Sequence, residues 1–277
     1  MAFHLLFHFP RRKQILKPTQ IAANVKIDPT HSNHHAYIAE ALRLREKYSP
    51  QIQILIGFEG EWIRSSYGPL VTSLASDPNV DFFIGSVHHV HGIPIDYNAE
   101  FYAKAVAAST GDGLGPGTEL GLFRDYYDAQ YEMLQTLKPK VVGHFDLIRL
   151  FASEPNAKIF GGASEKAERN LKLIVEQGGL LEINSAGLRK GLQEPYPGRI
   201  LCLLFKSLGG RFTLSDDSHE IEQVGTNYGR AVRYLQDLDV KEVWTFEKGN
   251  GELKLKSVPV DDIKATFREI PAEDIKP

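Results

Sequence analysis

Four hydrophobic runs in this chain end in histidine or carboxylate: IQILIGFEGE, FFIGSVHHVH, VVGHFD and FTLSDDSH. They carry Glu59, His88, His89, His91, His144, Asp146, Asp216, Asp217 and His219. Each set falls where a buried strand would reach the surface. Imidazole and carboxylate groups at successive strand ends converge readily on a metal ion. Asp217 and His219 lie two residues apart in a loop after a strand, a spacing that lets both turn toward one ion. A hard carboxylate with a borderline imidazole suits Zn²⁺, Mn²⁺ or Fe. The competing reading of SDDSH is a helix N-cap by Ser215, Asp216 or Ser218. His88, His89 and His91 crowd the end of one strand and read as ligands or as a polar loop. Gly143 allows close backbone approach beside His144, which reads as a ligand or as a hydrogen-bonded core histidine. Glu59 ends a very apolar strand, where an acid requires a cation or several donors. Its competing reading is a surface acid. The four sets reinforce one another only if one face of the fold holds them all. A second group has capacity for anions. Asn184, Ser185, Arg189 and Lys190 follow the strand LLEIN, and Arg11 and Arg12 follow the N-terminal apolar run. The guanidinium fork matches phosphate, and a solvated basic turn is the alternative for both pairs.

The elements that must position these groups alternate along the chain. Strands are expected at IQILIGF, DFFIGSV, KVVGHF, LLEIN, RFTLS and EVWTFE, with a small edge strand at LKLKSVPV. Helices are expected at HHAYIAEALRLREKY (capped by Ser32 or Asn33), YGPLVTSLASDP, AEFYAKAVAAS, FRDYYDAQYEMLQTL, EKAERNLKLIVEQGG, PGRILCLLFKSLGG and NYGRAVRYLQDL. TGDGLGPGTEL and ASEPNAKIFGGAS read as loops. About seven strand–helix units predict a parallel sheet with helices outside. A closed barrel gathers every strand C-terminus on one face, whereas an open doubly wound sheet strands some of them. The barrel, as one domain over residues 1–277, is therefore the expected α/β architecture.

Composition bounds the function. The 277 residues are 42% hydrophobic and 24% charged, with a formal net charge of −3. No basic field favours nucleic acid, and no apolar run approaches the roughly 20 residues that span a bilayer. A single cysteine, Cys202, excludes an intrachain disulfide and fits a cytoplasmic setting. Cys202 sits in an apolar helical pattern and reads as core. The opening MAFHLLFHFP precedes its RRK charge, the reverse of a signal peptide, and reads as a short strand. Nothing in the sequence specifies an oligomeric state.

GSVHHVHGIPID, VVGHFDLIRLF, LEINSAGLRKGLQEPYP and FTLSDDSH together resemble the histidinol-phosphate phosphatases of the polymerase and histidinol phosphatase (PHP) superfamily, in their fungal form. The resemblance runs from about residue 35 to 240 and implies a distorted (β/α)7, TIM-like barrel. It implies two or three divalent metals (Zn, Mn or Fe) and hydrolysis of L-histidinol phosphate, a small phosphate ester, in histidine biosynthesis. Carried over by position, the metal ligands are His8, Glu59, His88, His144, Asp217 and His219. Asp217 and Asp216 are the catalytic candidates, with either Asp216 or a metal-bound water as the proton donor to the leaving group, and Arg189, Arg11 and His89 are the substrate-binding candidates.

One departure stands out. The family opens with H-x-H on its first strand, and no such motif stands ahead of residue 8. FHLLFHFPRRK instead resembles the second strand, with His8 as its ligand, Arg11 in place and Phe7 where a glutamate is usual. Glu220 replaces a glycine after the closing D-x-S-H string. The expectation is a barrel lacking its first strand. The competing function is then a catalytically impaired or inactive homologue that retains partial metal or phosphate binding, or a PHP hydrolase acting on another phosphoester.

Overall fold

The computed structural model describes residues 28–110 and 117–266. His8, Arg11 and Arg12 lie outside the described residues. Helix α1 (Asp28–Tyr48) leads into strand β1 (Gly57–Glu61), helix α2 (Gly68–Ala75) and strand β2 (Phe82–Ser86). A two-stranded ribbon, β3 (His89–Val90) and β4 (Ile93–Pro94), precedes helices α3 (Ala99–Ala108) and α4 (Glu119–Leu137). Then follow β5 (Val141–Val142), α5 (Ser164–Glu176), β6 (Leu180–Asn184), α6 (Ala186–Arg189), α7 (Arg199–Ser207), β7 (Arg211–Ser215) and α8 (Tyr228–Asp237). The described chain closes with β8 (Glu242–Gly249), β9 (Glu252–Pro259) and α9 (Val260–Thr266).

Five strands pair in parallel in the order β1-β2-β5-β6-β7. The order never reverses, so the described sheet has no topological switch point of the doubly wound kind. It advances in chain order, as the wall of a barrel does. The β8–β9 hairpin is antiparallel and separate.

Register decides what each face carries. Glu59 pairs with Ile84, Glu61 with Ser86, Ile84 with Val141, Val141 with Leu180, Glu182 with Thr213 and Asn184 with Ser215. Side chains alternate across a strand, so these residues share one face. At the strands' N-terminal ends that face is apolar: Phe82, Ile84, Val141 and Leu180 cluster with Leu55 and with Phe246 of the hairpin. Toward the C-terminal ends it turns polar, with Ser86, Glu182, Asn184, Thr213 and Ser215 all buried. The opposite face, with Phe58, Val142, Leu181, Ile183 and Phe212, packs in the large core with helix residues such as Phe123, Met133, Leu171 and Phe205.

Several expected boundaries move. Helix α1 spans Asp28–Tyr48, so Ser32 and Asn33 fall within it. The ladder of IQILIGF starts only at Gly57. Upstream, Ile56 N–H donates to the Asp81 carboxylate (2.8 Å) and the Ile54 carbonyl accepts from Arg45 Nε (2.9 Å), so side chains replace a neighbouring strand. KVVGHF shrinks to Val141–Val142. ASEPNAKIFGGAS, expected as loop, contains a short helical turn (Pro155–Lys158) and a π-turn (Ile159–Ala163). Helix α7 starts at Arg199, which leaves Pro197 ahead of its N-cap Gly198. Its expected glycine stop holds, with Gly209 at φ 78°.

Candidate metal centre

The polar end of the inner face carries the strand-end residues. Glu59 and Glu61 project from β1, His88 and His89 follow β2, His144 follows β5, and Asp217 and His219 follow β7. His144 Nε2 lies 3.0 Å from Glu59 Oε1, and His88 Nε2 lies 3.6 Å from the same oxygen. The two imidazoles meet edge to face at 4.6 Å. One donor atom from each of Glu59, His88 and His144 falls within 4.8 Å of the others.

Backbone conformation sets these directions. Gly143 N–H still bonds the Gly85 carbonyl (3.0 Å), as the ladder requires. The chain then turns at His144, whose φ of 23° carries the ring out of the strand path. His144 N–H donates to Glu182 Oε2 (2.8 Å) and its carbonyl accepts from Leu147 N–H (2.9 Å). Asp217 adopts φ 51° in the same way after β7.

Electrostatics mark the cluster as cation-seeking. Burial draws the His88 imidazole down despite the Glu59 charge beside it. Burial opposes charge on His144 too, but the Glu59 hydrogen bond and carboxylate outweigh it and push its pKa up. Burial raises Glu182, against the pull of His144. Glu61 is desolvated as well, yet its contact with His89 holds it below the usual carboxylate range. Glu59, Glu182 and Asp217 thus approach two buried histidines. The Nδ1 atoms of His88 and His144 have no hydrogen-bond partner among the described residues. A nitrogen and oxygen donor set around unsatisfied imidazoles fits a divalent ion of the Zn, Mn or Fe kind.

The other expected site residues fall into distinct positions. Asp217 and His219 line one cavity of about 260 Å³ with Glu59, Glu61, His88, Asp96 and Lys190. His219 Nδ1 faces its own loop, 2.9 Å from the Asp217 carbonyl and 3.7 Å from Asp217 Oδ1. Asp216 accepts from the N–H groups of Gly225 and Ser218, so its carboxylate organises the loop. Arg189 donates Nη1 to the Asp216 carbonyl (2.9 Å) and Nη2 to the Asp217 carbonyl (2.8 Å). His89 Nδ1 lies 2.5 Å from Glu61 Oε1. His91 turns to Asp125 (2.7 Å), and buried Asp146 accepts from Gly198 N–H (2.8 Å) and contacts Arg149 (3.0 Å).

Three acids escaped the sequence reading as site residues. Glu61 follows Glu59 at a strand's period of two, and Glu182 is the lone acid inside LLEIN; both signals were legible. Asp96, beyond the β3–β4 ribbon, has no local signature.

Comparison with known proteins decides the family. A PHP domain model matches residues 23–186, more than half of the chain. The probable histidinol-phosphatase of Schizosaccharomyces pombe is 40% identical over 96% of this chain and 86% of its own length. The chain belongs to the histidinol-phosphatase branch of the PHP family. The histidinol-phosphatase of Saccharomyces cerevisiae is 33% identical over 84% of this chain and 75% of its own. A solved histidinol phosphate phosphatase from Lactococcus lactis, complexed with zinc, L-histidinol and phosphate, superposes with a TM-score of 0.56. It covers 79% of this chain and 78% of its own at 22% identity, a likeness of fold. Together with the unreversed strand order, it makes the parallel sheet of this PHP protein part of a TIM-like barrel. Its triad Glu59, His88 and His144 lies inside the matched PHP segment.

Proposed function

We propose that this PHP protein hydrolyses L-histidinol phosphate to L-histidinol and phosphate, in histidine biosynthesis, with divalent metals held at the C-terminal end of its sheet. The observation that carries this reading is the convergence of Glu59, His88 and His144 from three neighbouring parallel strands, with Glu59 and His88 lining one cavity. The fungal relatives named histidinol-phosphatase, and the L. lactis enzyme with zinc, L-histidinol and phosphate, supply the substrate and the metal class.

Glu59, His88, His144, Asp217 and His219 are the residues that would hold two or three ions, with His8 expected to join them. Divalent ions held there would neutralise phosphoryl oxygens and lower the pKa of a bound water. The protein's own groups do the rest. The apolar wall of Phe58, Leu70, Val71 and Leu74 limits water on one side of the cavity. Asp216 and Arg189 hold the loop that presents Asp217 and His219. Of the two aspartates only Asp217 lines the cavity, which supports it over Asp216 as the carboxylate beside the phosphate. Lys190 at the rim, with Arg189 next to it and Arg11 and His89 as further candidates, supplies donors for the phosphate ester. Among the described residues no helix is long and apolar enough to cross a membrane. Buried, free Cys202 accords with a reducing cytoplasm.

The test is metal analysis of the purified chain with phosphate release from L-histidinol phosphate at added Mn²⁺ or Zn²⁺. The reading expects at least one bound metal and turnover. Less than one equivalent of metal and no phosphate release would overturn it.

A further inference from the structure

We infer that Glu182 is a positioning residue that fixes the His144 imidazole through the His144 backbone. This inference rests on the reading of His144 as a metal ligand. A metal-bound histidine is usually oriented by a hydrogen bond from its second ring nitrogen to a carboxylate or carbonyl. In His144 the Nε2 atom is hydrogen-bonded to the Glu59 carboxylate (3.0 Å), itself a metal-ligand candidate, and Nδ1 has no hydrogen-bond partner among the described residues. What remains to be set is the direction in which this side chain leaves the strand.

The backbone supplies it. His144 sits at φ 23°, a region that side-chain-bearing residues rarely occupy without local compensation. Its N–H leaves the ladder and donates to Glu182 Oε2 (2.8 Å). The same oxygen accepts from Asn184 Nδ2 (2.9 Å), and Asn184 Oδ1 accepts from Ala186 N–H (2.9 Å). The carboxylate is therefore aimed by β6 and by the start of α6 before it meets β5. Gly143 lets β5 lie close against β2 just before this turn: a Cβ there would stand 2.7 Å from Ser86 Oγ and 2.9 Å from Ile84 Cγ2, while Glu182 Oε2 at 3.4 Å would be in ordinary contact. Glu182 is 3% exposed. Keeping an acid so deep is costly, and its hydrogen bonds offset that cost where they are also useful, at the turn that launches a ligand.

The clamp is a hydrogen bond and not a charge, and two variants separate these. Glu182→Gln keeps an acceptor for His144 N–H but loses the charge. Glu182→Asp keeps the charge but is shorter by one methylene. Zn²⁺ or Mn²⁺ affinity is measured by calorimetric titration of metal-stripped, full-length protein, with circular dichroism to verify folding. Glu182→Asp is expected to weaken affinity about 10–100-fold, the range typical of groups that orient a ligand. Glu182→Gln is expected to stay within about threefold of the parent. With L-histidinol phosphate, kcat should fall in Glu182→Asp more than KM rises. Equal losses in both variants would make charge the operative property and overturn the clamp, as would an unchanged affinity in Glu182→Asp. Should Glu182→Asp fail to fold, Asn184→Ala, which removes the group that aims Oε2, carries the same expectation of weakened metal affinity, and parent-like affinity there overturns it. Because metal affinity is read without substrate, failure of the parent to turn over would count against the proposed function alone.

Discussion

At the scale of residues, what matters is which atoms face which. Glu59 was legible because an acid closing an apolar strand must find a cation or donors, and it finds two imidazoles at 3.0 and 3.6 Å. His144 was legible as a candidate beside Gly143. Its second role, accepting direction from Glu182 through its own N–H, could not be read from VVGHFD because the partner is 38 residues away. Histidine crowding was the less dependable signal: of three histidines after β2, His88 enters the triad, while His91 is tied to Asp125 on α4. Asp146 shows the same limit, since its neighbour Arg149 and Gly198 claim the carboxylate. Substituting the shared oxygen donor is the direct check. Glu59→Gln should lower metal affinity by more than about 100-fold, beyond the loss typical of orienting groups. Calorimetric titration of the stripped protein reads this. A loss under tenfold would show that the ions sit elsewhere.

At the scale of elements, helices were readable and strand lengths were not. Helix α4 declares itself by apolar periodicity, although it starts at Glu119, inside the stretch read as loop, with Thr118 Oγ1 as N-cap accepting from Gly121 N–H (3.0 Å). A strand's extent depends on its neighbours. The run before β1 is apolar and extended in sequence, yet its backbone is satisfied by side chains gathered at one carboxylate. Asp81 receives Ile56 N–H (2.8 Å), Lys248 Nζ (2.7 Å) and the Arg45 guanidinium. That single side chain ties α1, the approach to β1, and β8 together. Asp81→Ala removes charged hydrogen bonds, each of which contributes about 1.5–3 kcal/mol. Arg45 and Lys248 are partly solvated, with side chains 24% and 32% exposed, so water replaces part of what they lose. The expected net loss is therefore about 2–3 kcal/mol in urea unfolding. The triad is built at the other end of β1 and should keep its metal affinity. A loss below about 0.5 kcal/mol would mean the junction is held by packing alone.

At the scale of the whole molecule, the inner face of the sheet is divided lengthwise: apolar at the strands' N-terminal ends, polar and metal-seeking at the C-terminal ends. The β8–β9 hairpin seals the apolar end with Phe246, whose ring lies 5.0 Å from that of Phe82. Sequence periodicity identified both hairpin strands but not this duty, which requires a chain separation of more than 160 residues. If the chain is one cooperative domain, damage at the seal must be felt in the helical layer on the opposite face. Cys202 on α7 reports there: the residue is 1% exposed, and burial raises its thiol pKa far above the ordinary range. A thiol reagent therefore reaches it through opening of the structure and not through the native surface. Phe246→Ala should cost about 3–5 kcal/mol, as truncation of a buried aromatic does. If Cys202 exposure requires global unfolding, its labelling should accelerate about 10²–10⁴-fold, since each 1.36 kcal/mol is a factor of ten. That ratio holds when reclosing outpaces labelling, so the reagent is used at low concentration. Unchanged labelling in a destabilised Phe246→Ala protein would show that the hairpin end opens separately, and the chain would then be two cooperative units.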